Sequence, residues 1–277
     1  MSDSDYFRAR TALITGASSG IGRDIALGLS RMGARVALLA RRATLLDELV
    51  REIETAGGET AGGQALALGA DVTRPAEVRA SVDRTLEAFG AIDILVNSAG
   101  VLIQSSVETM NPADLERMME VNLYGTLHAM QAVIPSMRAQ SRGNVVNIAS
   151  LAGRRGTPPL GGYCATKFAV VGLTEALRVE LYGSGVTLSL IMPGVVDTPM
   201  IRGSERDKND LAATLIAMPA QWVTWAVIAA IVFGLTEVDV PPGAAVAEKI
   251  AGLFPGFTDA AMAWGTEVLK WFGRASG

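Results

Sequence analysis

The stretch that decides the fold is "TALITGASSGIG", residues 11–22. "TALITG" (11–16) has the apolar, β-prone composition of a buried strand, and "IGRDIALGLSRMG" (21–33) carries a helical pattern that stops at Gly33. Between them lies "TGASSGIG" (15–22). Glycine at 16, 20 and 22 removes the side chains that would hold backbone away from a pyrophosphate. A helix starting there offers unpaired N–H groups and the positive end of its dipole to the same anion. A glycine-rich turn alone is weak evidence. Set between a first strand and a first helix, it marks a dinucleotide site, with Gly16, Ser18, Ser19, Gly20, Ile21 and Gly22 as its contacts.

Strand and helix patterns alternate from there on. "ARVALLA" (34–40), "ALALGADV" (65–72), "AIDILVN" (91–97), "GNVVNIAS" (143–150) and "GVTLSLIMP" (185–193) read as strands. Helical patterns occupy 43–58, 75–88, 112–140 and 163–183. The strands are apolar almost continuously, as parallel strands covered on both faces are. Repeated βα units imply right-handed crossovers and one α/β fold, a Rossmann-like doubly wound parallel sheet with helices on both faces. No domain boundary appears. The expectation is a single domain over 1–277, with 201–277 forming a substrate lid and an apolar C-terminal region. Within it, "RGSERDKND" (202–210) reads as a solvated loop or a mobile lid, and "AGGETAGGQ" (56–64) as a surface loop.

Composition narrows the function. Hydrophobic residues make up 49% and charged residues 19%, which excludes a disordered chain. A net charge of −4 gives no basic field for nucleic acid. The only cysteine, Cys164, excludes an internal disulfide and a CxxC metal site. The only histidine, His128, lies in an apolar helix and reads as a core or interface residue, so no metal is expected. "MSDSDYFRAR" carries no signal-peptide pattern, which makes a cytoplasmic protein the expectation. "WVTWAVIAAIVFGL" (222–235) is apolar on every side but shorter than the roughly 20 residues of a membrane span. We read it as a buried helix, with peripheral membrane contact through 222–272 as the alternative.

The second strand ends "LLARR". An NAD site would place an acid there for the ribose 2′-OH. Arg41 and Arg42 stand there instead, and two guanidiniums suit a 2′-phosphate. The pattern therefore points to NADP(H). Asp71, with Val72 after it, is placed to accept from an adenine amino group. "NSAG" contributes Asn97, Ala99 and Gly100 where a cofactor must pass.

"GGYCATKFAV" (161–170) holds the reacting pair. Tyr163 and Lys167 are i and i+4 on one helix and share a face. An ammonium beside a phenol lowers a pKa that is ordinarily about 10, so Tyr163 can exchange a proton near neutrality. Ser150 closes its strand at the end that faces the ligand crevice, where its hydroxyl can bond the same oxygen. Asn122 is a polar residue within an apolar helix and needs a buried partner.

Over roughly residues 10–200 the chain resembles the short-chain dehydrogenases/reductases. The resemblance rests on "TGASSGIG", "ADV" (70–72), "NSAG" (97–100), "VN" (121–122), Ser150, "YCATK" (163–167) and "PGVVDT" (193–198). Ser98 stands where the family pattern has Asn. The resemblance implies a Ser150–Tyr163–Lys167 triad, extended by Asn122. Tyr163 would be the general acid/base and Ser150 would orient the carbonyl. Lys167 would hold the nicotinamide ribose and lower the Tyr pKa, and Asn122 would support a water of a proton relay. Pro193, Gly194, Val196 and Thr198 would contact the nicotinamide half. A homodimer or homotetramer through the helices at 112–140 and 163–183 is implied too, and Arg41 matches the basic residue of NADP-preferring members.

The Met- and Trp-bearing apolar content after residue 200 suits a small hydrophobic carbonyl or alcohol substrate. The expected function is NADP(H)-dependent interconversion of a hydrophobic ketone or aldehyde and its alcohol. One alternative is a 3-oxoacyl-carrier-protein reductase, which would want a basic docking patch where the sequence offers scattered Arg154, Arg155, Arg202 and Arg206. The other is a non-catalytic NADP-binding protein, against which the intact Ser150, Tyr163 and Lys167 argue.

Overall fold

"TALIT" forms strand β1 (Thr11–Thr15), buried along its whole length. Its neighbours are β2 (Arg35–Ala40) and β4 (Ile94–Asn97). The computed structural model describes residues 6–57, 63–202, 217–261 and 263–264. Among these residues the sheet has seven strands, completed by β3 (Ala65–Gly69), β5 (Gly143–Ile148), β6 (Val186–Pro193) and β7 (Glu237–Val240). All pair in parallel, in the order β3-β2-β1-β4-β5-β6-β7. The winding reverses between β1 and β4, the place where such sheets open a crevice at their C-terminal ends.

Parallel neighbours require crossovers, which helices supply. Between the strands lie α1 (Gly20–Arg31), α2 (Ala43–Gly57), α3 (Pro75–Phe89), α4 (Pro112–Met119), α5 (Gly125–Ala139), α6 (Gly161–Glu180), the short α7 (Pro199–Arg202) and α8 (Ala220–Phe233), and α9 (Ala244–Leu253) follows the last strand. Strand side chains alternate between faces. Ile14 and Leu38 meet Ile25 and Leu29 of α1, Leu49 and Ile53 of α2 and Val227 of α8 on one side. Leu13 and Leu39 meet Val78 of α3 with Met130 and Val133 of α5 on the other. Burial on both sides explains why the strands lack polar alternation.

The structure departs from the sequence reading in four places. The helix expected over 112–140 is interrupted by a π-helical turn, Glu120–Tyr124, which re-aims the residues it carries, Asn122 among them. Strand β7 was not foreseen. Among the described residues it is an edge strand, paired only with β6 and carrying Glu237 and Asp239, so its sequence lacks the apolar signature of the central strands. The apolar segment 222–235 forms α8 but is not buried all round. Val223, Val227, Ala230 and Ile231 are in the core, whereas Trp222, Trp225 and Phe233 are exposed. The strands read at 65–72 and 143–150 end at Gly69 and Ile148, so Asp71 and Ser150 stand just beyond them. Nearly all of "RGSERDKND" and the middle of "AGGETAGGQ" lie outside the described residues. Among the described residues no helix is long and apolar enough to cross a membrane.

Helix α8 packs across α1, with Thr224 set against Gly28. A Cβ there would lie 2.5 Å from Thr224 Cγ2, and Thr224 itself is buried with its hydroxyl donating to Asp24 Oδ2 at 2.6 Å. Gly28→Val is therefore expected to cost about 1–3 kcal/mol of stability, the usual cost of overpacking, read as a shift in the denaturant midpoint.

Candidate active site

Every strand delivers residues to one cleft at its C-terminal end. Gly16 follows β1, Arg41 follows β2, Asp71 lies past β3, Ser98 to Gly100 follow β4, Ser150 lies past β5, Pro193 and Gly194 end β6, and Pro241 follows β7. The cleft encloses about 730 Å³, the size of a small-molecule or cofactor site.

Its β1 side fits a dinucleotide. Gly16 has φ +71°, and a Cβ there would lie 2.7 Å from the Ala99 backbone. A Cβ on Gly22 would lie 2.6 Å from the carbonyl oxygen of Gly16. Backbone thus passes backbone with no room for side chains, and a smooth cradle faces the cleft. Ser19 stands at the N-cap of α1 yet makes no side-chain cap bond. Its Oγ accepts from Arg42 Nη2 at 2.7 Å, and Ser18 Oγ accepts from the same guanidinium at 2.8 Å. The N-terminus of α1 keeps its donors for an anion, with Arg42 drawn in beside it. Arg41 also lines the cleft and lies 4.0 Å from Asp71. Asp71 accepts from the N–H and hydroxyl of Thr73 at 3.0 and 2.9 Å, which fixes its carboxylate at the cleft wall. His128, from α5, places Nδ1 2.9 Å from the carbonyl oxygen of Val72, a residue that lines the cleft.

The other half gathers the polar residues read from the sequence. Ser150, Tyr163 and Lys167 line the cleft together. The Ser150 side chain interacts with the Tyr163 phenol, and its hydroxyl donates to the Pro193 carbonyl oxygen at 3.1 Å. Lys167 Nζ is buried, donates to Ile148 O at 3.0 Å and sits 5.5 Å from the centre of the Tyr163 ring. The expected fall of the Tyr163 pKa is not what this environment produces. Burial pushes the phenol up to about 12, the Ser150 hydrogen bond pulls it back in part, and the nearby Cys164 raises it. Burial also lowers Lys167 to about 8. Desolvation prevails, and Lys167, brought down to about 8, has already lost its charge at the pH where a phenol near 12 would ionise. Tyr163 is consequently protonated at neutral pH.

Two of the sequence-derived residues do not line the cleft. Asn97 is buried, and its Nδ2 donates to Asn147 Oδ1 at 2.8 Å, inside the sheet. Asn122 is buried behind the wall. Its amide clasps the main chain of Val101, accepting from N–H at 2.8 Å and donating to O at 3.0 Å, and also donates to Thr166 Oγ1 at 2.9 Å. It therefore joins the β4 loop, which contributes Val101 to the cleft, to the helix bearing Tyr163 and Lys167. The sequence reading overlooked several supports. Thr15 Oγ1 accepts from the N–H groups of Ser98 and Ala99, and Asn147 Nδ2 donates to Thr174 Oγ1. A polar residue within a strand as apolar as "TALIT" or "NVVNI" was the available signal. Arg154 and Arg155 do not form a free basic patch, since both pair with carboxylates. Cys164 is buried.

This sheet, this glycine cradle and a Ser, Tyr and Lys meeting in one cleft define a dinucleotide-dependent oxidoreductase. The family model for short chain dehydrogenase matches residues 10–209, so the chain belongs to the short-chain dehydrogenase/reductase family. It is 37% identical over 211 residues, covering 76% of this chain and 88% of the other, to an uncharacterized oxidoreductase of Staphylococcus epidermidis. It is 40% identical over 189 residues, 68% of this chain and 71% of the other, to a sorbitol dehydrogenase of Cereibacter sphaeroides. Among solved structures it resembles a short-chain dehydrogenase/reductase of Burkholderia phymatum in complex with NAD, with a TM-score of 0.80, 27% identity and 91% and 95% of the two chains covered. Levodione reductase gives a TM-score of 0.80 and 31% identity, covering 87% of this chain and 99% of that one. Members of the family use a nicotinamide cofactor.

Proposed function

We propose that the protein is a cytoplasmic NADP(H)-dependent oxidoreductase that interconverts a hydrophobic ketone or aldehyde and its alcohol. The observation that carries this reading is the meeting of Ser150, Tyr163 and Lys167 in the cleft that also holds the glycine cradle and the Arg41–Arg42 pair. When bound, the nicotinamide supplies two-electron exchange with the substrate carbon. Tyr163 Oη gives a proton to the carbonyl oxygen or takes one from the alcohol. The Ser150 hydroxyl orients that oxygen, and Lys167 holds charge beside the phenol. Asn122 keeps the loop and helix around them in register. Arg42, with Arg41, would hold the 2′-phosphate, which distinguishes NADP from NAD.

The substrate half is lined by Leu102, Leu160, Met200, Ile201, Met218 and Trp222, which favours an apolar substrate. That lining suits a dione better than a polyol, so we read the likeness to levodione reductase as closer in chemistry than that to sorbitol dehydrogenase. Exposed Tyr124, Phe168 and Val179 support a homodimer or homotetramer through the α4–α6 region. Exposed Trp225, Phe254 and Phe257 favour, as a second reading of the C-terminal region, contact with a membrane surface.

The pH profile tests the assignment. A phenol near 12 is an acid at neutral pH, and Lys167 near 8 loses its charge as pH rises through that value. Carbonyl reduction should be full below about pH 8 and fall above it, while alcohol oxidation should rise with pH as phenolate forms. Steady-state rates in both directions between neutral and alkaline pH check this. A reduction rate that climbs through pH 8 would contradict it.

A further inference from the structure

One wall of the substrate half is the loop 151–160, which links Ser150 to the helix of Tyr163. Leu151, Ala152, Thr157 and Leu160 from this loop line the cleft. Two consecutive arginines on it take no part in the chemistry above. Arg154 Nη2 donates to Glu237 and, at 3.0 Å, to Asp239, both on edge strand β7. Arg155 Nη2 donates to Asp259 at 2.7 Å, in the helical stretch 255–261. All three carboxylates lie beyond residue 209, where the match to the family ends. Pro241, directly after β7, lines the same cleft. The side chains of Arg154 and Asp239 are 15% and 13% exposed, so this pair is largely withdrawn from solvent screening. At the far end of the loop, Ser105 N donates to Pro159 O at 3.1 Å.

We propose that Arg154 and Arg155 are positioning residues that make the C-terminal segment part of the substrate site, fixing the 151–160 wall and so selecting substrates by shape. Neither arginine lines the cleft; both act through the loop. The selectivity consequence rests on the oxidoreductase reading, whereas the fastening of the loop does not.

The test uses the full chain with Arg155→Gln, Asp259→Asn and the exchanged pair Arg155→Asp with Asp259→Arg. Asp259 is 74% exposed, so its replacement leaves the fold intact. Hydrogen exchange of the peptide spanning 151–160 should quicken in each single variant and slow again in the exchanged pair. In steady-state assays with NADPH, each single variant should narrow the preference for large over small ketones by about fivefold, the upper end for one exposed ion pair. The change should lie in KM for the large ketones, leave the dissociation constant for NADPH unchanged and be reversed in the exchanged pair. Unchanged exchange in 151–160 would overturn the proposal. So would equal losses for every ketone or a weakened hold on NADPH. A wild-type protein inert towards all ketones would overturn the functional reading, and the exchange result would still decide the fastening.

Discussion

Tyr163→Phe is expected to lower carbonyl reduction by about 10³-fold, within the range a general acid contributes. NADPH affinity and the unfolding midpoint should stay at wild-type values. The fold tolerates the change because the Ser150 hydroxyl keeps Pro193 O as an acceptor when the phenol is gone, so no buried donor is orphaned. The ring fills the same space. Steady-state kinetics and fluorescence titration with NADPH separate the two quantities. Retention of more than about a tenth of the wild-type rate would remove Tyr163 from the proton transfer.

Replacing Arg41 and Arg42 together by alanine is expected to weaken NADPH by about 100-fold and NADH by far less. Charge-assisted hydrogen bonds contribute about 1.5–3 kcal/mol each, and the exposed Arg41 contributes at the low end. Arg42 should dominate, because it already reaches Ser18 and Ser19 of the glycine turn, whereas Arg41 is 60% exposed and faces Asp71. NADH serves as the internal control. An equal loss of both dinucleotides would mean that Arg42 supports the turn rather than the 2′-phosphate. Initial rates at several concentrations of each dinucleotide give the ratio.

How much of this was legible beforehand follows from where side chains point. The central strands bury both faces, so their apolar runs announced a parallel sheet, and glycines forced by backbone crossing announced the cradle. Residues that touch the cleft from strand ends, such as Gly16, Arg41, Asp71 and Ser150, could be placed by counting from the strands. Asn97 could not. Its place at the end of an apolar strand is the same whether the amide faces a ligand or a buried partner, and it bonds Asn147 inside the sheet. The need of Asn122 for a buried partner was legible from its apolar helix, but not that Val101 and Thr166 would supply it. The pKa of Tyr163 was misjudged because spacing on a helix shows the ammonium but not the depth of burial, and burial is the larger influence. Edge strand β7 was hidden by its own acids, which only the folded chain shows to be partners of Arg154. The π-helical turn at Asn122 leaves no mark in hydrophobic periodicity at all.

The most direct test of the central claim is the rate at which the wild-type protein oxidises NADPH and NADH in the presence of ketones of increasing apolar size, with sorbitol and NADP in the reverse direction as the polar comparison. The account predicts that NADPH is preferred and that kcat/KM rises with the apolar surface of the ketone. Equal use of NADH, or sorbitol as the best substrate, would contradict it.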